Sequence, residues 1–111
     1  MMGDTLNKRR LKALAADPLR EDDFLNEFAQ VYGSACETWM SVRDRKALRQ
    51  KYASGKYDFK CVSADESNAA GRVERRRHDA LLKHGWKLLA YEQNFNLYDA
   101  VLFKAKRQVA R

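Results

Sequence analysis

Residues 86–105, WKLLAYEQNFNLYDAVLFKA, contain two apolar runs separated by the short stretch NFNL. The runs at 86–93 and 98–105 are rich in aromatic and aliphatic residues, as β-strands are. Two such runs around a short polar turn predict a β-hairpin. This stretch decides the fold class, because it requires a sheet in a chain whose other segments are mostly helical.

The segment before the hairpin predicts a helix and one further strand. Residues 67–84 have helical spacing, and Gly85 stands where a glycine commonly ends a helix. The predicted buried side of this helix is Ala69, Ala70, Val73, Ala80, Leu81 and the stem of Arg77. Residues 57–62, YDFKCV, alternate in polarity and predict a strand. The order over 57–105 is therefore β-α-β-β.

The N-terminal half has an apolar stripe at three- and four-residue steps, which predicts one long amphipathic helix. Asp17 and Pro18 suit its start, as N-cap and first helical residue. The stripe consists of Phe24, Leu25, Phe28, Val31, Tyr32, Ala35, Cys36, Trp39 and Val42. A small domain covers only part of so long a stripe, which favours a homodimer through Phe24–Val42.

Two basic helices are predicted on either side of this acidic one. Asp4 caps a helix at 5–16, whose apolar side is Leu6, Leu11 and Leu14. Ser41 and Asp44 resemble a capping box, which starts a helix at 42–53.

Together these elements predict one α+β domain over 1–111. A short basic helical arm (1–17) and further helices (18–53) precede the β-α-β-β unit (57–105), and a frayed basic tail (106–111) follows it. Two architectures fit this order. One is a winged-helix domain with the hairpin as its wing. The other is a plain α+β layer, in which a helical crossover joins 57–62 to 86–93 and the hairpin extends the sheet.

The segment 63–103 is similar in outline to winged helix-turn-helix proteins of phages and plasmids. It has a short polar helix, Gly71, an arginine-bearing helix that ends in Leu81–Trp86, and a hairpin. The resemblance implies DNA binding. Ser67 and Arg77 stand where a helix-turn-helix has an alanine and an apolar residue, so the sequence does not assign the chain to that family.

The charge of the chain is segregated along the sequence. The net charge is +7 and the sequence pI is about 9.6. Residues 21–41 carry five acidic and no basic groups, whereas 42–60 carry seven basic and two acidic ones. A basic surplus concentrated in this way favours a polyanionic partner such as nucleic acid.

Three features predict the nucleic-acid-binding surface. Arg72, Arg75, Arg76 and Lys83 share one side of the 67–84 helix, and Arg43, Arg45, Lys46 and Arg49 lie on the 42–53 helix. Phe95 stands at the hairpin tip, where it contacts a partner or folds back under the sheet. We predict that 42–60 neutralises phosphates and that Arg72 and Arg76 read a groove. An ordinary solvated helix face is the competing interpretation for both basic helices.

The sequence predicts no enzyme, cofactor, metal or membrane segment. Cys36 and Cys61 lack metal spacing, and His78 and His84 are too far apart on a helix to bind one ion. Adjacent helix residues such as His78 and Asp79 are not expected to face each other. No apolar run reaches the roughly 20 residues of a membrane helix, and no secretory signal is visible, so a cytoplasmic protein is expected.

The predicted function is thus a small basic nucleic-acid-binding protein of the phage, plasmid or bacterial regulator type, with DNA favoured over RNA. The alternative is a non-enzymatic adaptor or inhibitor that binds an acidic surface of another protein, with Phe95 as an anchor.

Overall fold

The computed structural model describes residues 2–34 and 36–107, with a three-stranded sheet between two helical layers. One layer contains α1 (Met2–Ala15), α2 (Glu21–Tyr32) and α3 (Val42–Ser54), and the other is α4 (Ala69–Lys83). The strands are β1 (Tyr57–Asp65), β2 (Lys87–Asn94) and β3 (Leu97–Ala105), and two short 3-10 helices lie at Pro18–Arg20 and Cys36–Thr38. The predicted α+β class, with helices first and strands after them, is confirmed.

The central strand of the sheet is β3. The order is β1-β3-β2 with both pairs antiparallel, and the hairpin register closes on Asn94 opposite Leu97. Ala100, Val101 and Leu102 are fully buried, because β3 has helices on both of its faces. The hairpin therefore pairs with β1 through its second strand. It does not extend the sheet outward from 86–93, as the plain α+β alternative required.

The main core lies between the sheet and the first three helices. Alternate residues of β1 point to this side, and Phe59 packs among aromatic rings of α2 and α3. Its ring centroid is 5.1 Å from that of Tyr52 and 6.2 Å from that of Phe28. This aromatic contact joins the helical layer to the sheet.

The predicted long helix is wrong, because it is two helices with an irregular connection. Gly33 has a φ of 72°, and its amide bonds the carbonyl of Ala29, which ends α2. The chain then turns back, so that Cys36 and Met40 enter the same core as Phe28. Predicted stripe member Ala35 lies outside the described residues.

This turn also removes the predicted dimer surface. Phe24, Leu25 and Phe28 are buried by their own chain, and among the described members of the stripe Val42 is the exposed one, at 80%. A surface buried within one molecule cannot pair two molecules. The prediction of a homodimer through Phe24–Val42 is therefore wrong for this arrangement.

Most of the local signals at the helix ends are confirmed, and Ser41 Oγ accepts a hydrogen bond from the Asp44 amide at the start of α3. Asp17 accepts one from the Leu19 amide, but it caps the 3-10 helix at Pro18–Arg20 and not α2, which starts at Glu21. Gly85, with a φ of 93°, follows α4. Of the predicted apolar side of α1, Leu11 and Leu14 are buried, whereas the side chains of Asp4 and Leu6 and the residues 108–111 lie outside the description.

Helix α4 faces the sheet with a different side from the one predicted. Ala69, Ala70, Val73 and Ala80 are exposed, whereas Gly71 and His78 are buried. The helix starts at Ala69 and continues through Gly71, so no separate helix precedes the glycine as a helix-turn-helix requires. The side of α4 with fewer apolar residues is the buried one, because Gly71 lets the helix lie close to β1 and His78 forms a hydrogen bond with the sheet.

We expect Gly71→Ala to lower the free energy of unfolding by about 1–3 kcal/mol. A β-carbon at Gly71 would lie 1.7 Å from the carbonyl oxygen of Asp65, a backbone atom that cannot move aside cheaply. Chemical denaturation measures the loss. Val73→Ala, on the exposed side of the same helix, serves as the control and should change stability little. Equal stability of Gly71→Ala and the wild type would show that α4 does not approach β1 so closely.

Candidate nucleic-acid interface

The outer side of α4 presents small residues bordered by cations. Ala69, Val73 and Ala80 lie along the helix surface that points away from the sheet. The exposed side chains of Arg72, Arg76 and Lys83 flank this row on one side, and that of Arg77 lies on the other. A helix surface without bulky side chains can approach another molecule closely, and its bordering guanidinium groups suit phosphates and base edges.

Arg75 differs from its neighbours because it is held against the protein. Its guanidinium lies 3.7 Å from the ring centroid of Tyr98 and 3.4 Å from Glu66 Oε1, with Asp79 Oδ1 at 3.9 Å. Contacts with two carboxylates and an aromatic ring occupy most of the interactions that the Arg75 guanidinium can make. Arg75 therefore stabilises the docking of α4 and is not part of the exposed row, contrary to the prediction.

His78 and Asp79 do contact each other, against the expectation from helix geometry. His78 Nδ1 is 3.1 Å from Asp79 Oδ1, and His78 Nε2 is 2.9 Å from the hydroxyl of Tyr98. Burial raises the pKa of Tyr98, which keeps its hydroxyl protonated. Tyr98 is 3% exposed, and this chain of hydrogen bonds ties α4 to β3.

The basic residues of α3 divide into two kinds. Arg43 and Lys46 are exposed, as predicted for a contact surface. Arg45 Nε donates to the carbonyl of Met40 (3.0 Å), and Arg49 Nη1 donates to the carbonyl of Ala15 (3.2 Å). A cation at the C-terminus of α1 is favourable there because of the helix dipole. Arg49 is thus a structural residue that joins α1 to α3.

The two predicted basic helices do not form one surface. Helix α3 packs on the side of the sheet that contains Phe59, whereas α4 packs on the side that contains Tyr98. The sheet therefore separates Arg43 and Lys46 from Arg72 and Arg76. A ligand that lies against α4 does not reach the exposed cations of α3 without wrapping around the molecule.

Phe95 stands free at the hairpin tip. Its side chain is 92% exposed and its φ is 54°, an uncommon backbone conformation for a bulky residue. The interpretation that Phe95 folds back under the sheet is wrong. The amide of Glu66 donates to the carbonyl of Asn96 (2.8 Å), which places the tip beside the start of α4. Phe95 and Arg72 therefore lie at the same end of the molecule.

A further group of cations gathers at the other end of the sheet, and of its members only Lys56 and Lys60 belong to the predicted 42–60 surface. We call it the basic end and define it as Lys8, Lys12, Lys56, Lys60, Lys106 and Arg107. The amide of Lys106 donates to the carbonyl of Lys56 (2.9 Å), which brings the end of β3 to the start of β1. Lys8 and Lys106, which are 98 positions apart in the sequence, thus line one cavity. No local sequence pattern predicts such a contact.

The side chains do not form a metal site within the described part of the chain, where no group of three His, Cys, Asp or Glu residues could hold an ion. Burial raises the pKa of the Cys61 thiol to about 12, so it is not a ready nucleophile. Across residues 2–34 and 36–107, no helix has both the length and the apolar composition needed to cross a membrane.

Comparison with known proteins identifies no relative: no protein-family model, no curated protein and no solved structure matches this chain.

Proposed function

We propose that this protein binds duplex DNA and that α4 is the helix that enters the major groove. The observation that carries the proposal is the exposed row of small residues on α4 with Arg72, Arg76 and Lys83 along its edge. The major groove of B-DNA admits an α-helix, whereas the deep, narrow major groove of A-form RNA does not. The shape of this surface therefore favours DNA over RNA.

Positive charge continues from α4 towards the basic end, which supports phosphate contacts along one track. Lys104 Nζ donates to the carbonyl of His84 (2.9 Å), just past the last turn of α4. Lys60 Nζ lies 5.4 Å from the ring centroid of Trp86, on the same side of the sheet. In this proposal the residues of 42–60 that neutralise phosphate are Lys56 and Lys60, and the exposed face of α3 is not involved.

The hairpin acts as a wing in this proposal. Phe95 projects beside the start of α4, where a ring can insert between bases or lie in the adjacent minor groove. The order β1-β3-β2, with α4 before the hairpin, gives the domain a helix and a wing without a helix-turn-helix. A small domain of this kind acts by occupying its site, which suits a cytoplasmic phage, plasmid or bacterial regulator.

One observation favours a second function, an adaptor or inhibitor that binds another protein. Leu82, Leu88 and Tyr91 are exposed apolar residues on α4 and β2, and Tyr91 is 59% exposed. A row of this kind beside arginines is typical of protein-binding surfaces. Binding of an acidic protein that persists at high salt, together with no affinity for DNA, would identify this function.

Fluorescence anisotropy with labelled 20-base-pair duplexes of DNA and of RNA tests the proposed function. We expect micromolar or tighter binding to DNA at low salt and weaker binding to RNA. The logarithm of the affinity should fall linearly with the logarithm of the salt concentration. An unlabelled acidic protein of similar size, added as a competitor, shows how much of the binding is nonspecific attraction between opposite charges. No binding to either duplex at low micromolar protein and low salt would overturn the proposal.

A further inference from the structure

The basic end contains a cavity that the proposed contacts of α4 do not use. Its volume is about 90 Å³, which is more than one water molecule needs. The lining includes Lys8 and Lys12 from α1, Lys106 from the end of β3, and the rings of Tyr32 and Tyr52. Two separate parts of the chain, α1 and the end of β3, therefore contribute cations to one small space.

The charge of this cavity matches a doubly charged anion. Three lysines line it, and among its described lining residues Asp58 supplies the single carboxylate, which leaves a net charge of +2. A phosphate monoester carries about −1.5 to −2 at neutral pH, whereas an internal phosphodiester carries −1. The balance therefore favours a phosphate at the end of a chain over one within it.

The cavity also offers a proton donor that is not a lysine. The hydroxyls of Tyr32 and Tyr52 are 3.1 Å apart, so one proton bonds the pair and the second is available to an acceptor in the cavity. Burial raises the pKa of both tyrosines, so they remain protonated donors at neutral pH. Hydrogen bonds from neutral and charged donors together are what holds a phosphate in a protein.

The position of the Lys12 ammonium group depends on the glycine at position 55. A β-carbon on Gly55 would lie 2.8 Å from Lys12 Nζ, so the glycine leaves the space that this ammonium group occupies. Lys12 is thereby held beside the C-terminus of α3, where the helix dipole favours a cation. The side chain of Lys12 is exposed, and its ammonium group lies beside Gly55 in the lining of the cavity.

We propose that this cavity binds the terminal phosphate monoester of a nucleic-acid strand. The inference rests on the proposed function, which supplies the strand, and the cavity supplies a preference for a strand end that carries a phosphate. The volume admits a group of phosphate size. Binding of free inorganic phosphate uses the same chemistry, and the test distinguishes the two sources.

The experiment compares two DNA duplexes of identical sequence, one with 5′-phosphates and one with 5′-hydroxyls, by fluorescence anisotropy. We expect the phosphorylated duplex to bind about tenfold more tightly, since charged hydrogen bonds are the strong ones. Lys12→Gln and Lys106→Gln should each remove most of this preference. Tyr32→Phe, which keeps the ring, should reduce it and confirm that the hydroxyl takes part.

Two controls separate this proposal from the proposed function. Lys46→Gln, on the exposed side of α3, should leave the preference unchanged, and Arg72→Glu with Arg76→Glu should weaken both duplexes equally. Equal affinity for both duplexes would overturn the phosphate site and leave DNA binding intact. No binding to either would overturn the proposed function. Calorimetry with inorganic phosphate alone then tests whether the cavity binds phosphate at all. Heat of binding that Lys106→Gln abolishes identifies a site for free phosphate, and the absence of any heat of binding overturns the phosphate site.

Discussion

Phe28→Ala lowers the free energy of unfolding by about 3–5 kcal/mol. The ring of Phe28 is fully buried and contacts four others, with centroid distances of 4.5 Å to Tyr32, 5.8 Å to Phe24, 6.0 Å to Tyr52 and 6.2 Å to Phe59. Its loss leaves a cavity where the helical layer meets the sheet. A domain of this size has about 5–15 kcal/mol of stability in total, so this one change removes a large part of it.

Urea or thermal unfolding followed by circular dichroism measures this loss. Phe95→Ala is the matched control, because the same substitution at a ring that is 92% exposed should change stability by less than about 0.5 kcal/mol. Trp39 is only partly buried, so Trp39→Ala should cost less than Phe28→Ala. If Phe28→Ala unfolds at the same denaturant concentration as the wild type, the α2 aromatic residues are not the core and the described packing is wrong.

Arg72→Glu combined with Arg76→Glu is expected to weaken duplex DNA binding by tens-fold or more. Each side chain is exposed and belongs to the cationic edge of α4, so reversal replaces two attractions with two repulsions. Each phosphate contact that is lost also removes about 0.9 from the slope of log affinity against log salt. The melting temperature should stay nearly unchanged, since exposed charges contribute little to folding.

The matched control for this variant is Arg43→Glu with Lys46→Glu, which reverses two exposed charges on the other side of the sheet. It makes the same change in net charge, so it measures the long-range effect of charge alone, and we expect a much smaller loss. Equal weakening by both variants would mean that net charge, and not α4, governs binding. Wild-type affinity in the α4 variant would show that its arginines form an ordinary solvated face.

Arg75 requires separate treatment in any such scan. Because its guanidinium stacks on Tyr98 and meets Glu66, its replacement disturbs the docking of α4 as well as any contact with DNA. Nothing in the periodicity of the sequence distinguishes Arg75 from Arg72 or Arg76. The difference arises from the partner that each side chain meets in the folded chain.

Local chemistry alone was enough to predict where most elements begin and end. The hairpin, the Asp17 and Ser41 caps and the Gly85 helix end depend on residues within a few positions of one another, so the sequence states them directly. The long helix failed for a related reason. Periodicity continued past Gly33, but the positive φ of that glycine ended α2 and returned the apolar residues to the same core.

By itself the sequence determined the fold class, the order of elements and the excess of positive charge, because these follow from local conformational preference and composition. Only the tertiary structure decided which side of α4 is buried, since that depends on Gly71 meeting Asp65 and His78 meeting Tyr98. It also decided that the two basic helices lie on opposite sides of the sheet. Lys12 and Lys106 line one cavity for the same reason: a contact between distant segments depends on how whole layers pack, and no local pattern encodes it.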